Sequence, residues 1–178
     1  MKSRMSEKTP PFTHLNTQGQ PSMVDVSEKI ATTRHAIAQA RVKFLPSVAK
    51  QLSSVSFHSK KGPILETAII AGTMAAKRTY ELIPFCHLLP LEHCEIKTEF
   101  TSETELVLQC EVRAIHKTGV EMEALTGVSV AALTVYDMCK ALSHEITINN
   151  IQLLEKSGGK RNVRKGVIVK EALHKSKT

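Results

Sequence analysis

Asp137 and Lys140 lie three residues apart in a run that is otherwise almost free of charge. Between Gly119 and Leu142, acid or base occurs at only four points: Glu121, Glu123, Asp137 and Lys140. A carboxylate or ammonium within an apolar run is costly unless it is paired or put to chemical use. On a helix, the i, i+3 spacing makes Asp137 and Lys140 neighbours on one face. The pair reads equally as a structural ion pair and as a coupled acid and base for proton transfer. Glu121 and Glu123 also carry two readings. Gly119 and Val120 after a strand favour an extended segment, with both carboxylates on one face and the helix starting near Leu125. If helical, the carboxylates diverge by about 200°, and acids at a helix start complement its dipole.

Spacing also bears on assembly. The fourteen residues from Glu123 to Asp137 span about 21 Å of helix, so their carboxylates cannot meet along it. If all four charges serve one site, that site is more easily built between two copies of the chain. This hypothesis fails if the four converge within one subunit.

Other groups are more ambiguous. Cys86-His87 and His93-Cys94 raise zinc, but adjacent strand residues point to opposite faces and no Cys-x2-Cys spacing closes a tetrahedral site. No metal is expected. His87 follows a helix and a Pro, in a connection where binding residues often sit, although a surface histidine reads as well. Arg34, Lys60, Lys61, Lys77, Arg78, Lys117, Lys156 and Lys160 lie in or beside Gly, Pro or helix-end positions. Several of them could converge on phosphate through charge-assisted hydrogen bonds. No P-loop and no Gly-x-Gly-x-x-Gly occurs, so side chains would have to hold it.

The elements that must position these groups follow from periodicity. Ala36, Ala38, Ala40 and Val42 alternate with Ile37, Gln39, Arg41 and Lys43, as in a half-buried strand. A short helix starts at Pro46 and runs to about Leu52. Lys60-Lys61-Gly62-Pro63 is a basic turn. Residues 64–83 take helical spacing, closed by Pro84, and Ala71, Gly72, Ala75 and Ala76 form a small-residue face. Residues 93–100 and 105–115 form a hairpin. A second long helix ends near Leu142, and a last strand carries Ile146, Ile148, Ile151 and Leu153. The class is α+β. Residues 1–21 form a polar arm, 22–160 a single domain and 161–178 a basic tail.

The 178 residues carry a net charge of +7. From Lys156 onward eight Lys or Arg face one acid, and the preceding residues balance to zero. The tail has no aromatic residue for base stacking, so no nucleic-acid partner is expected. No apolar run reaches the ~18 residues of a membrane span, and no membrane partner is expected. Four scattered cysteines fit reduced thiols in the cytoplasm.

Met23-Val-Asp-Val-Ser, Ala71-Gly-Thr-Met-Ala-Ala-Lys-Arg-Thr, Glu81-Leu-Ile-Pro-Phe-Cys-His, Gly119-Val-Glu-Met-Glu-Ala-Leu-Thr, Tyr136-Asp-Met-Cys-Lys and Lys156-Ser-Gly-Gly-Lys occur in that order. Together they closely resemble the molybdenum cofactor biosynthesis protein C family, the cyclic pyranopterin monophosphate synthases. The resemblance implies a ferredoxin-like antiparallel sheet packed with two long helices. It also implies a homohexamer, a trimer of dimers with active sites at the dimer interface. The implied activity is a lyase that needs no cofactor. It converts (8S)-3',8-cyclo-7,8-dihydroguanosine 5'-triphosphate to cyclic pyranopterin monophosphate and releases pyrophosphate. By motif, Asp137 matches the catalytic aspartate, with Lys140 beside it as a functional lysine. Phe85, Cys86, His87, Met122 and Glu123 match substrate-binding segments, and Lys61, Arg34, Glu121 and Lys156 match further pocket residues. In that reading Lys61, Lys156 and Arg34 grip the triphosphate.

Overall fold

The computed structural model describes residues 18–165. The strand β1 (Thr32–Lys43) is followed by the helix α1 (Pro46–Ser54). A tight hairpin of β2 (His58–Ser59) and β3 (Gly62–Pro63) leads into α2 (Ile64–Lys77) and the single turn α3 (Thr79–Leu82). The long hairpin of β4 (His93–Ser102) and β5 (Glu105–His116) comes next. After it come α4 (Glu121–Cys139), β6 (Thr147–Ser157) and β7 (Val163–Arg164). The main sheet has five strands in the order β4-β5-β1-β6-β7, all antiparallel. The class is α+β, as its alternating strands and separate helices indicate.

One face of the sheet carries the helices. Ala36, Ala38, Ala40 and Val42 on β1 sit opposite Val112, Cys110, Leu108 and Leu106 on β5, and all eight are buried. α4 lies over β1, β5 and β6, while α2 packs against α4 and β4. With so few aromatic residues, aliphatic side chains fill this core, and the small ones among them let the helices approach closely. A Cβ added to Gly72 would lie 2.6 Å from the Gly127 carbonyl oxygen and 2.5 Å from Ile96 Cδ1. A Cβ on Gly127 would lie 2.8 Å from Cys110 Sγ. α2 and α4 therefore cross at two glycines, on the small-residue face that Gly72, Ala75 and Ala76 define.

Several boundaries differ from the sequence reading. The segment 64–83 is not one helix, because it breaks at Arg78 (φ −113°, ψ 20°), where the Thr79 hydroxyl turns back to the Ala76 carbonyl at 3.0 Å. α4 starts at Glu121 rather than near Leu125, and ends at Cys139. Its first intrahelical bond already runs from Ala124 N to the Val120 carbonyl. The extended segment expected at Glu121–Glu123 is therefore helical. Its two acids sit in the first turn, where the helix dipole favours negative charge.

In β6 the alternation slips by one residue. Asn150 adopts a left-handed φ of 51°, the pairing with β1 shifts there, and Ile151 turns out to solvent. The sheet also continues past residue 160. Val163 and Arg164 pair with Lys156 and Glu155, within the segment assigned from sequence to the tail. The remainder of that tail, and most of the arm, lie outside the described residues. Among the described residues no helix is long and apolar enough to cross a membrane.

The outward face of the sheet is not simply polar. Ile37, Gln39, Val107 and Gln109 are buried there, although they alternate with the core residues. Gln39 and Gln109 are register partners in the two central strands.

The close helix crossing is testable. Gly72→Val forces backbone or Ile96 to move, at a cost of about 1–3 kcal/mol. The melting temperature followed by circular dichroism should fall by roughly 3–10 °C. An unchanged melt would refute the crossing as described.

Candidate functional site

The candidate residues gather at the two ends of α4. At its C-terminal end, the Asp137 carboxylate accepts a hydrogen bond from Lys61 Nζ at 2.7 Å and faces Lys140 Nζ, also at 2.7 Å. Lys140 arrives through the i, i+3 spacing. Lys61 comes from the tip of the β2–β3 hairpin, where the Ser59 hydroxyl accepts from Lys61 N and donates to the Gly62 carbonyl. Gly62 takes a φ of 116° that suits glycine. Ile64 N donates to the Phe57 carbonyl just outside the hairpin, which ties its base to the preceding turn.

The two ammonium groups hold the Asp137 carboxyl down at about 2, through hydrogen bonds and charge from Lys140 first and Lys61 second. Asp137 in turn pushes the Lys140 ammonium up. All three side chains are about half exposed, at 58% for Lys61, 52% for Asp137 and 48% for Lys140. Such an arrangement presents a fixed pattern of one negative and two positive charges to a ligand.

At the N-terminal end of α4, two adjoining cavities of about 470 and 430 Å³ share Lys29, Thr118, Gly119, Glu121 and Lys160. The first is strongly basic and takes in Arg34, Lys117 and Lys156, with the Ser157–Gly159 turn. The second is lined by Phe85, Cys86, His87, Met122 and Glu123. Two anchoring interactions shape this end. Arg34 donates from Nε to the His116 carbonyl at 3.0 Å and from a terminal nitrogen to the Lys117 carbonyl at 3.1 Å. His87 Nε2 lies 2.9 Å from the Val24 carbonyl oxygen, which fastens the 85–87 connection to the start of the described chain.

Lys156 reaches Glu121 at 2.7 Å. Gly119 makes room for that pair, since a Cβ there would overlap the Glu121 carboxylate. Gly158 (φ 84°) lies against the Thr33 carbonyl and accepts a hydrogen bond from Thr32 Oγ1 at 2.8 Å.

Glu121 and Glu123 go separate ways, as the helical geometry requires. Glu121 faces Lys156, whereas Glu123 is only 4% exposed. Burial is the main reason that the Glu123 carboxyl is pushed up to about 7, with the charge of Glu121 adding to it. Burial also raises the Cys86 thiol, with a further push from Glu123. Cys86 is therefore a thiol rather than a thiolate near neutral pH, and a poor nucleophile. His116 is pushed down, first by desolvation and then by the charges of His87, Lys117 and Arg34.

The structure thus keeps the four charges of the 119–142 run in two groups, and Lys61 stands with Asp137 rather than with Lys156 and Arg34. Lys29, Thr118 and the Ser157–Gly159 turn line the cavities without having been singled out as site residues. The paired glycines before Lys160 were the signal for that turn. Lys29 and Thr118 sit in ordinary polar stretches and gave none. A larger cavity of about 900 Å³ lies between α1 and the β4–β5 hairpin and contains none of the candidate residues.

The environment of Glu123 has a consequence for pH. The folded chain holds a proton up to about pH 7 that an unfolded chain, with an ordinary value of 4.5, releases earlier. Stability therefore falls as pH rises through that window. Glu123→Gln should remove this loss. It is expected to melt several degrees higher than the parent at pH 8 and at the same temperature near pH 4. Parallel melting curves across the whole pH range would contradict the buried, protonated carboxyl.

Residues 23–159 match the MoaC family. Over 152 residues the chain is 57% identical to the cyclic pyranopterin monophosphate synthase of Xanthomonas axonopodis pv. citri, covering 85% of this chain and 92% of that protein. The synthase of Xanthomonas oryzae pv. oryzae is 58% identical with the same coverage. A molybdenum cofactor biosynthesis bifunctional protein of Synechocystis sp. is 52% identical over 156 residues, 85% of this chain and 45% of that longer protein. With three quarters of its length matched and relatives this similar, the chain belongs to the MoaC family.

Proposed function

We propose that this chain is a cyclic pyranopterin monophosphate synthase of molybdenum cofactor biosynthesis. It converts (8S)-3',8-cyclo-7,8-dihydroguanosine 5'-triphosphate to cyclic pyranopterin monophosphate with release of pyrophosphate. The observation that carries this reading is the exposed Asp137 carboxylate held between Lys61 and Lys140. It occurs in a chain 57% identical to a protein of that name.

The reaction needs proton transfers to open the imidazole ring of the purine and close the pyran. It also needs cations to stabilise the departing pyrophosphate. In the free chain Asp137 is a carboxylate and too weak a base to act unaided. A substrate phosphate that draws Lys61 or Lys140 towards itself removes one cause of the lowered value and raises the basicity of Asp137. Glu123, poised near 7, can hold or give a proton at neutral pH. Lys29, Arg34, Lys117, Lys156 and Lys160 surround the basic cavity and supply charge for the phosphates. Phe85 and Met122 offer apolar surface beside the Cys86 thiol and His87 for the ring system.

The reading includes a ferredoxin-like fold and a homohexamer, a trimer of dimers in which each site takes one group from either subunit. Three features support sharing: the length of α4 between the groups, the open position of the Asp137 cluster, and exposed apolar residues on the helices. Ile70 and Met74 on α2 and Leu133 on α4 are each about half exposed or more. The reading also includes residence in the cytoplasm, which suits four free cysteines.

Two measurements test it. With the cyclic dihydroguanosine triphosphate as substrate, Asp137→Ala should lower turnover by about 10²–10⁴-fold or more. Its melting temperature should be close to that of the parent. Full turnover in the folded variant would sink the assignment. Sharing between subunits is tested by mixing inactive Lys156→Ala and Asp137→Ala chains, one from each group. Random reassociation into dimers restores one intact site in each mixed dimer, or about a quarter of parental activity. No recovery in verified mixed oligomers would place the two groups in one subunit's service.

A further inference from the structure

A separate cluster of donor atoms lies on the other face of the sheet, away from the helices. Cys94 and Ile96 on β4 and Cys110 and Val112 on β5 face the helices, so His93, Glu95, Glu111 and Arg113 face outward. His93 and Glu95 are two residues apart on β4, and Glu111 is the register partner of Glu95 on β5. One donor atom from each of His93, Glu95 and Glu111 lies within 4.8 Å of the other two. Among the described residues this is the one group of three or more His, Cys, Asp or Glu donors close enough to share an ion.

The histidine is the telling member. Its Nε2 is screened from solvent and has no hydrogen-bond partner among the described residues. The nearest carboxylate oxygen, Glu95 Oε2, is 3.9 Å away, beyond hydrogen-bond reach. Two ligands bound to one zinc ion at about 2.0–2.2 Å in tetrahedral array lie about 3.4 Å apart. The observed spacing thus exceeds that of a coordinated set by an amount that small rotations of the two glutamates remove.

The surroundings resemble an outer shell. His35 on β1 brings Nε2 to 3.2 Å from Glu111 Oε1, while its Nδ1 lies 3.7 Å from Glu155. A partner of this kind orients a ligating carboxylate and raises affinity. Two cations stand against the site. Lys97 Nζ is 3.5 Å from Glu95, and Arg113 Nε is 3.6 Å from Glu111. Both cations compete with an entering ion for the two carboxylates.

We propose that His93, Glu95 and Glu111 form a binding site for a divalent transition-metal ion, with His35 positioning Glu111. Imidazole with carboxylates selects ions of the zinc class. None of these residues lines the cavities beside α4, so the site is independent of the proposed reaction. It staples β4, an edge strand, to β5, and metal bound only by the folded chain stabilises it by mass action.

The test is a calorimetric titration of Zn²⁺ into the full-length, metal-free protein with its thiols reduced. The expected result is one ion per chain and a higher melting temperature with the ion present. His93→Ala and Glu111→Gln should each weaken binding at least tenfold, and His35→Ala by about tenfold with the stoichiometry kept. Lys97→Ala should tighten it. Circular dichroism checks that each variant is folded, and Glu95→Gln replaces any that is not. Absence of binding at micromolar protein would overturn the proposal. So would an ion held equally well by folded His93→Ala and Glu111→Gln, since it would then belong to other ligands.

Discussion

The arrangement of this molecule depends on how closely α2 can approach α4. Glycines meet at the crossing, at Gly72 and Gly127, above a core of Ala, Val, Cys, Leu and Ile side chains. With no side chain on either glycine to hold them apart, the two helices meet closely, and α4 is clamped between α2 on one side and β1, β5 and β6 beneath. A helix clamped along its length has ends that are fixed in space. Those ends carry the candidate site residues. The hairpin that delivers Lys61 leads directly into α2, so the same crossing also decides whether Lys61 reaches Asp137.

The two ends of α4 solve opposite electrostatic problems. Asp137 is exposed and surrounded by positive charge, so it is ionised over essentially the whole working range of pH. Glu123 is buried with a like charge nearby, so it retains a proton to about neutrality. Two carboxyls of similar intrinsic strength are thus separated by roughly five pH units, through desolvation in one case and cation pairing in the other. The chain can therefore present a permanent anion and a proton reservoir at once, with no unusual side chain.

Much of this was legible in the sequence. The alternation of Ala36 to Val42, the proline at the start of α1 and the β4–β5 hairpin all come through local chemistry that tertiary contacts do not override. The Asp137–Lys140 pair was legible for the same reason, since helical spacing alone makes the contact. Lys61 was not placed beside them. It is 76 residues from Asp137 in the chain, and nothing in a basic turn says which face of the molecule it will meet. The start of α4 was misread because Gly119-Val120 looks like extended chain. Val120 already accepts the first helical hydrogen bond, from Ala124 N, so the strand is not prolonged past it. The ion-pair ladder of His35, Glu111 and Glu155 was hidden too, because it is assembled by strand register across three strands.

The exposure of Lys61, Asp137 and Lys140 carries one more consequence. A pair of charges this open to solvent contributes little to folding, so these positions are held in place by no structural debt. Their replacement is expected to leave the protein well folded. Gly72 and Gly127 stand at the other extreme, where almost any side chain disturbs packing. A mutational scan scored by stability or expression would thus trace the helix crossing in detail and pass over the acid between its two lysines. On the proposed function, only a screen that scores what the molecule does would find that position.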